Sequence, residues 1–136
     1  MSAPGEVTIA SVVADMGETP YTVEIAAGHH RILADEPRGL GGANAGPSPF
    51  GYVLSGLAAC SAITLRMYCE RKEWRLVGIH VALTLRIVDG QKVVERVVQF
   101  GEGLDASQVA RLAEVVEKTP VTVALKAGMT INTTIK

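Results

Sequence analysis

Residues 39–65 contain no charged side chain, the longest such stretch in the sequence. About 20 consecutive apolar residues can cross a bilayer, so a stretch of this length first raises the question of a membrane span. Its composition argues otherwise. The first half holds Gly39, Gly41, Gly42, Asn44, Gly46, Pro47 and Pro49, which is loop chemistry, and Ser55, Gly56, Ser61 and Thr64 interrupt the rest. A buried helix over residues 48–71 fits better, with Ser48 as its cap and Pro49 at its first position, where no amide donor is needed. Charge returns at Arg66, Glu70, Arg71, Lys72 and Glu73, so the helix should emerge into solvent near its end. Over residues 48–65 it is apolar or small nearly all round and needs cover on every side. A chain of 136 residues can supply one sheet and one more helix. A second copy is expected to cover the remainder, giving a homodimer.

The flanking segments read as antiparallel structure. Residues 7–14, 21–26 and 31–34 are β-branched or alternating and are separated by Asp15, Gly17 and Gly28, which predicts a three-stranded meander. Residues 35–48 form a glycine-rich loop. From Ile79 to Ile87 the odd positions are Ile79, Val81, Leu83, Leu85 and Ile87, a half-buried strand, and Asp89-Gly90 turns it back along residues 93–100. Asp105 and Gln108 form a capping box before Val109, Leu112, Ala113 and Val116, which share a helical face to about residue 118. Thr119-Pro120 starts a short helix to about residue 126, Gly128 ends it, and residues 129–135 form a closing strand. The expected fold is a single α+β domain over residues 1–136, in the order βββ-α-ββ-α-α-β, with no internal repeat.

Charge and cysteine usage exclude several classes. The formal net charge is -1, which leaves no electrostatic footprint for nucleic acid or an anionic membrane. Two cysteines, Cys60 and Cys69, are too few for a secreted disulfide framework. Residues 1–9 lack a basic start followed by an apolar run, so no signal peptide is expected and a cytoplasmic location follows. The expected partners are a second copy and a small, roughly neutral molecule.

Cys60 is the first candidate for chemistry. Free cysteine often packs as a small hydrophobe, and Cys60 lies about three turns into the helix, beyond the reach of its own helix dipole. Activation would have to come from a side chain such as arginine. Cys69 is nine residues further on, roughly 13.5 Å of rise and half a turn out of phase. Disulfide Cα atoms lie within about 7 Å of each other, so a continuous helix excludes a bond between the two, and Cys69 reads as structural. His29-His30 lack neighbours at metal-ligand spacing, and no metal or other cofactor is expected. Asp35-Glu36 reads as a loop anchor and His80 as a solvated residue. The glycines at 39, 41, 42 and 46 match no phosphate-binding pattern; they read as a loop passing close to something.

Taken in order, Asp35-Glu36-Pro37, Gly41-Gly42, Gly46-Pro47-Ser48-Pro49, Leu57-Ala58-Ala59-Cys60 and Thr64-Leu65-Arg66-Met67-Tyr68 resemble the OsmC/Ohr family. Glu117-Lys118-Thr119-Pro120-Val121 and the closing segment resemble it too, so the likeness covers nearly the whole chain and is nearest the OsmC-like predicted redox proteins. The resemblance implies an intertwined homodimer with long central helices wrapped by sheets. It also implies reduction of organic hydroperoxides by a thiolate, with Cys60 at the attacking position and Arg38 near the place of the arginine that holds it. Two positions depart from the pattern. Thr119 stands where the family has its resolving cysteine, and Phe50 stands where peroxidatic members have a glutamate.

Two functions follow. One is a one-cysteine thiol peroxidase whose Cys60 is regenerated by an external thiol. The other is a non-catalytic binding or redox-sensing dimer, with Phe50, Tyr52, Met67 and Thr119 lining a pocket for a small apolar peroxide or other ligand. A hotdog-type thioesterase also wraps a sheet around a long helix, but most of its strands usually follow that helix, whereas three precede it here.

Overall fold

In the computed structural model, which describes residues 5–136, the chain is α+β with antiparallel sheets and a long helix. It divides into two compact units, one ending at Tyr52 and the other beginning at Val53.

The first unit holds three antiparallel strands in the order β1 (Val12–Asp15), β2 (Val23–Ala27) and β3 (His30–Ala34). The first strand is shorter than its composition predicts. Val12 pairs with Ala27, the last residue of β2, so residues 7–11 run past the end of their neighbour and find no ladder among the described residues. The following loop is built around Asp35. Its carboxylate is buried and accepts from the Thr22 hydroxyl at 2.9 Å, the Glu36 amide at 2.8 Å and the Ala45 amide at 3.1 Å. Burial pushes the Asp35 pKa up, but these donors outweigh it and hold the group below its ordinary value. The loop folds tightly on its own backbone: a Cβ on Gly42 would lie 2.0 Å from the Glu36 carbonyl oxygen, and one on Gly46 would lie 2.2 Å from that of Leu33. Gly42 and Gly46 are spatial requirements of that packing. A 3-10 turn at Arg38–Leu40 is the one element here that the glycine-rich composition does not foretell.

The long helix α1 (Pro49–Arg71) starts as expected, with the Gly51 amide donating to Ser48 Oγ at 3.2 Å. It ends through Glu73, in the left-handed region at φ 58°, and the Trp74 amide donates back to the Cys69 carbonyl at 2.8 Å. Only a stripe at four-residue spacing is buried: Leu57, Ser61, Leu65 and Cys69. Phe50, Val53, Ile63 and Met67 are exposed. By length and composition α1 is also apolar enough to cross a membrane.

In the second unit, strands β4 (Ile79–Val88) and β5 (Gln91–Phe100) pair along their full lengths, from Ile79 opposite Phe100 to Val88 opposite Gln91. Asp89 and Gly90 turn the hairpin with φ of 51° and 80°, the two positive values that a type I′ turn needs. Cross-strand partners share a face, so Ile79, Val81, Leu83 and Leu85 stand with Val94, Arg96, Val98 and Phe100. Helix α2 (Ala106–Val116) opens on the reciprocal capping box of Asp105 and Gln108. It stops two residues before the expected end, because Pro120 disfavours a helical conformation at Thr119, which sits at φ -66°, ψ 147°. Helix α3 (Pro120–Ala127) follows. The core joins Leu65, Cys69, Leu76, Leu112 and Val116.

The closing strand is the main correction. Residues 129–135 form no strand: none of the described residues offers them a ladder, and Met129, Ile131 and Ile135 are at least 70% exposed.

Candidate active site

Cys60 is a half-buried free thiol on α1. Its sulfur lies 3.9 Å from the Thr64 hydroxyl, one turn further along the same helix. The second contact comes from elsewhere: the backbone amide of Val121, in the first turn of α3, donates to Cys60 Sγ at 3.5 Å. The first amides of a helix lack intrahelical acceptors and carry its positive dipole end. The donor facing the sulfur is therefore a main-chain group of another helix, where sequence reasoning looked for an arginine side chain.

Arg96 anchors the surroundings. It projects from β5 with its side chain only 12% exposed. Nη1 donates to Ser61 Oγ at 3.0 Å and to Thr122 Oγ1 at 2.8 Å, and Nη2 donates to the Val116 carbonyl and Glu117 Oε1, both at 3.4 Å. Glu117 also pairs with Lys126. The Lys126 ammonium, and then the Arg96 charge, hold the Glu117 carboxyl below its usual range.

Thr119 is fully buried at the N-cap of α3 but does not cap it. Its hydroxyl donates to the Val116 carbonyl at 3.2 Å and meets the Thr122 hydroxyl at 2.5 Å. Met67 is exposed on α1. In the first unit, Phe50 is 54% exposed, the Tyr52 hydroxyl donates to the Leu33 carbonyl, and Arg38 lies exposed at the start of the 3-10 turn. Cys69 is completely buried, and that burial pushes its thiol pKa up. Among the described residues, no three His, Cys, Asp or Glu side chains gather as a metal site; His29, His30 and His80 are exposed.

The second unit also contains an open groove of about 660 Å³ between β5 and the helices, walled by Leu57, Val94, Val98, Phe100, Leu112 and Leu125. Arg96, Lys92, Lys126 and Glu117 are its charged members.

A half-buried thiol facing an amide donor can take part in nucleophilic and redox chemistry; a fully buried one in an apolar core cannot be reached. The family model described as OsmC-like protein matches residues 41–134. An OsmC-like protein from Mycoplasma pneumoniae superposes with a TM-score of 0.75 at 18% identity, covering 88% of each chain. The organic hydroperoxide resistance protein OhrB of Bacillus subtilis gives 0.60 at 21% identity, over 88% of this chain and 91% of its own. An organic hydroperoxide resistance protein OsmC from Legionella pneumophila gives 0.60 at 18%, over 89% and 91%. No curated protein matches.

Proposed function

Because the chain belongs to the OsmC-like protein family, we propose that it reduces organic hydroperoxides with Cys60 as its single peroxidatic thiol. The observation that carries the reading is the Val121 amide directed at the Cys60 sulfur from the first turn of α3. The Cys60 thiolate attacks one peroxide oxygen, the S–O bond forms, the O–O bond breaks, and the alkoxide leaves and takes up a proton as the alcohol. Cys60 is left as a sulfenic acid.

The sulfenic acid then needs a thiol. Thr119 offers none, and Cys69 is sealed in the core. An external thiol therefore attacks the oxidised sulfur, water leaves, and a second thiol releases Cys60 as a thiolate and departs in a disulfide. Arg38 is the charged partner that the resemblance implies, and Arg38→Gln tests it. The same reading has the protein working as a homodimer, which the exposure of Phe50, Val53, Ile63 and Met67 along α1 supports. Light scattering after gel filtration checks that state.

The test is consumption of cumene hydroperoxide with dithiothreitol as reductant. Wild type turns over and traps dimedone on Cys60, while Cys60→Ser does neither. A Cys60→Ser protein as active as wild type would end the proposal. The apolar groove favours a second reading, binding of a small ligand without redox chemistry; native mass spectrometry finding no ligand, beside fast turnover, excludes it.

A further inference from the structure

We propose that Arg96 is a positioning residue for Cys60, clamping the first turn of α3 against α1 so that the Val121 amide stays on the sulfur. The inference rests on the reading of Cys60 as the reacting thiol.

A guanidinium this deeply placed is unfavourable unless its donors are met. Arg96 meets them on three helices at once: Ser61 on α1, the Val116 carbonyl at the end of α2, and Thr122 on α3, with Glu117 beside them. The direction of every bond in the cluster can be assigned. Ser61 donates its hydroxyl hydrogen to the Leu57 carbonyl at 2.7 Å, so towards Arg96 it accepts. Thr119 donates to the Val116 carbonyl, so between the two threonines Thr122 donates. Thr122 in turn accepts from Arg96, and each hydroxyl hydrogen is used once. No buried side-chain nitrogen or oxygen among the described residues is left unpaired.

The register of this clamp ties it to the thiol. Cys60 and Val121 make the sulfur–amide contact. Ser61 and Thr122, the next residue on each helix, are bridged by a single nitrogen, Nη1 of Arg96. The two links run side by side across the same pair of helices. The bridge is made of charge-assisted bonds of 2.8 and 3.0 Å, whereas the amide's own acceptor is a sulfur, a weak one, at 3.5 Å, so the amide is held in place more by the bridge than by its own bond. The charged groups of the cluster are Arg96 from β5, Glu117 following α2 and Lys126 on α3. Arg96→Met also removes one positive charge from this cluster, whereas Thr122→Val breaks the bridge with every charge kept, so the second variant reads geometry apart from charge.

The experiment measures the rate of Cys60 alkylation by iodoacetamide from pH 5 to 10 on the full chain, resolved by peptide mass spectrometry, for wild type, Arg96→Met, Arg96→Lys and Thr122→Val. In Arg96→Met and Thr122→Val the midpoint of the pH–rate curve is expected to rise by roughly half to one unit. That is about a threefold to tenfold slower reaction on the acid side. Lysine keeps the charge but lacks the planar fork, so Arg96→Lys restores part of the shift. A wild-type midpoint in folded Arg96→Met, or complete rescue by lysine, overturns the proposal. If Arg96→Met does not fold by circular dichroism, Thr122→Val decides alone, and a wild-type midpoint there overturns it equally. Cumene hydroperoxide turnover by wild type separates the two readings: no turnover with a shifted midpoint removes the peroxidase assignment and leaves the clamp, while turnover with an unmoved midpoint removes the clamp alone.

Discussion

Replacing Gly42 by alanine tests whether the glycine loop is set by space rather than by flexibility. The new Cβ would sit 2.0 Å from the Glu36 carbonyl oxygen, 2.5 Å from its carbon and 2.8 Å from Asp35 Oδ1. Carbon and oxygen settle at about 3.2 Å or more, so one strand of the loop must move by roughly 1.2 Å. Two backbone bonds lie in its path, Gly42 N–H to the Pro37 carbonyl and Asn44 N–H to the Glu36 carbonyl, both 3.1 Å long. Stretched by that amount they no longer qualify as hydrogen bonds. At about 1 kcal/mol each the loss is about 2 kcal/mol, before any disturbance of the Asp35 cluster. Gly39→Ala is the internal control, because a Cβ there meets nothing within 4 Å and should change stability by less than about 0.5 kcal/mol. Urea unfolding of wild type and both variants supplies the comparison. Equal midpoints for the two variants, at unchanged slope, would refute the spatial argument.

Three further outcomes are expected. Cys69→Ala removes one buried atom from the cluster around Leu65 and Leu112 and costs about 1 kcal/mol, yet retains peroxide turnover; abolished turnover would make Cys69 a participant. Thr119→Cys returns a thiol to the position that the resemblance assigns to a resolving cysteine. It costs about 1–3 kcal/mol by leaving the buried Thr122 hydroxyl short of an acceptor, and after peroxide it yields an internal disulfide with Cys60, seen as the loss of two hydrogens by mass spectrometry; continued sulfenic acid trapping would refute the expectation. The native pKa values of Asp35 and Glu117 are lowered, so both contribute stability that is complete above the unfolded values of 3.8 and 4.5 and is lost as pH falls through the lower native values. The urea midpoint should fall between pH 5 and pH 3, and less steeply in Asp35→Asn; a midpoint that rises on acidification contradicts the assignment.

What could be read from residue order divides along physical lines. Local rules placed α1 from Ser48 and Pro49, the β4–β5 hairpin from Asp89-Gly90 and the α2 capping box from Asp105 and Gln108, because each is satisfied by residues at most three positions apart. Residues 7–11 and 129–135 carry strand-forming side chains but have no strand partner among the described residues, and pairing is not a local property. The sulfur's donor escaped for a related reason: Val121 is 61 residues from Cys60, its amide is available because Pro120 opens a helix, and nothing in the composition aims that helix at α1. Arg96 did leave a trace. It occupies an even position on β5 among Val94, Val98 and Phe100, opposite Leu83 on β4, so strand alternation alone puts a guanidinium on the apolar face. A charge there must either disrupt the sheet's packing or be met by several acceptors. The second outcome requires hydroxyls and a carbonyl converging from the helices on that face, and Ser61, Thr122 and Val116 supply them. An arginine in register with an apolar strand face is therefore a better pointer to the arrangement around Cys60 than the residues flanking the cysteine itself.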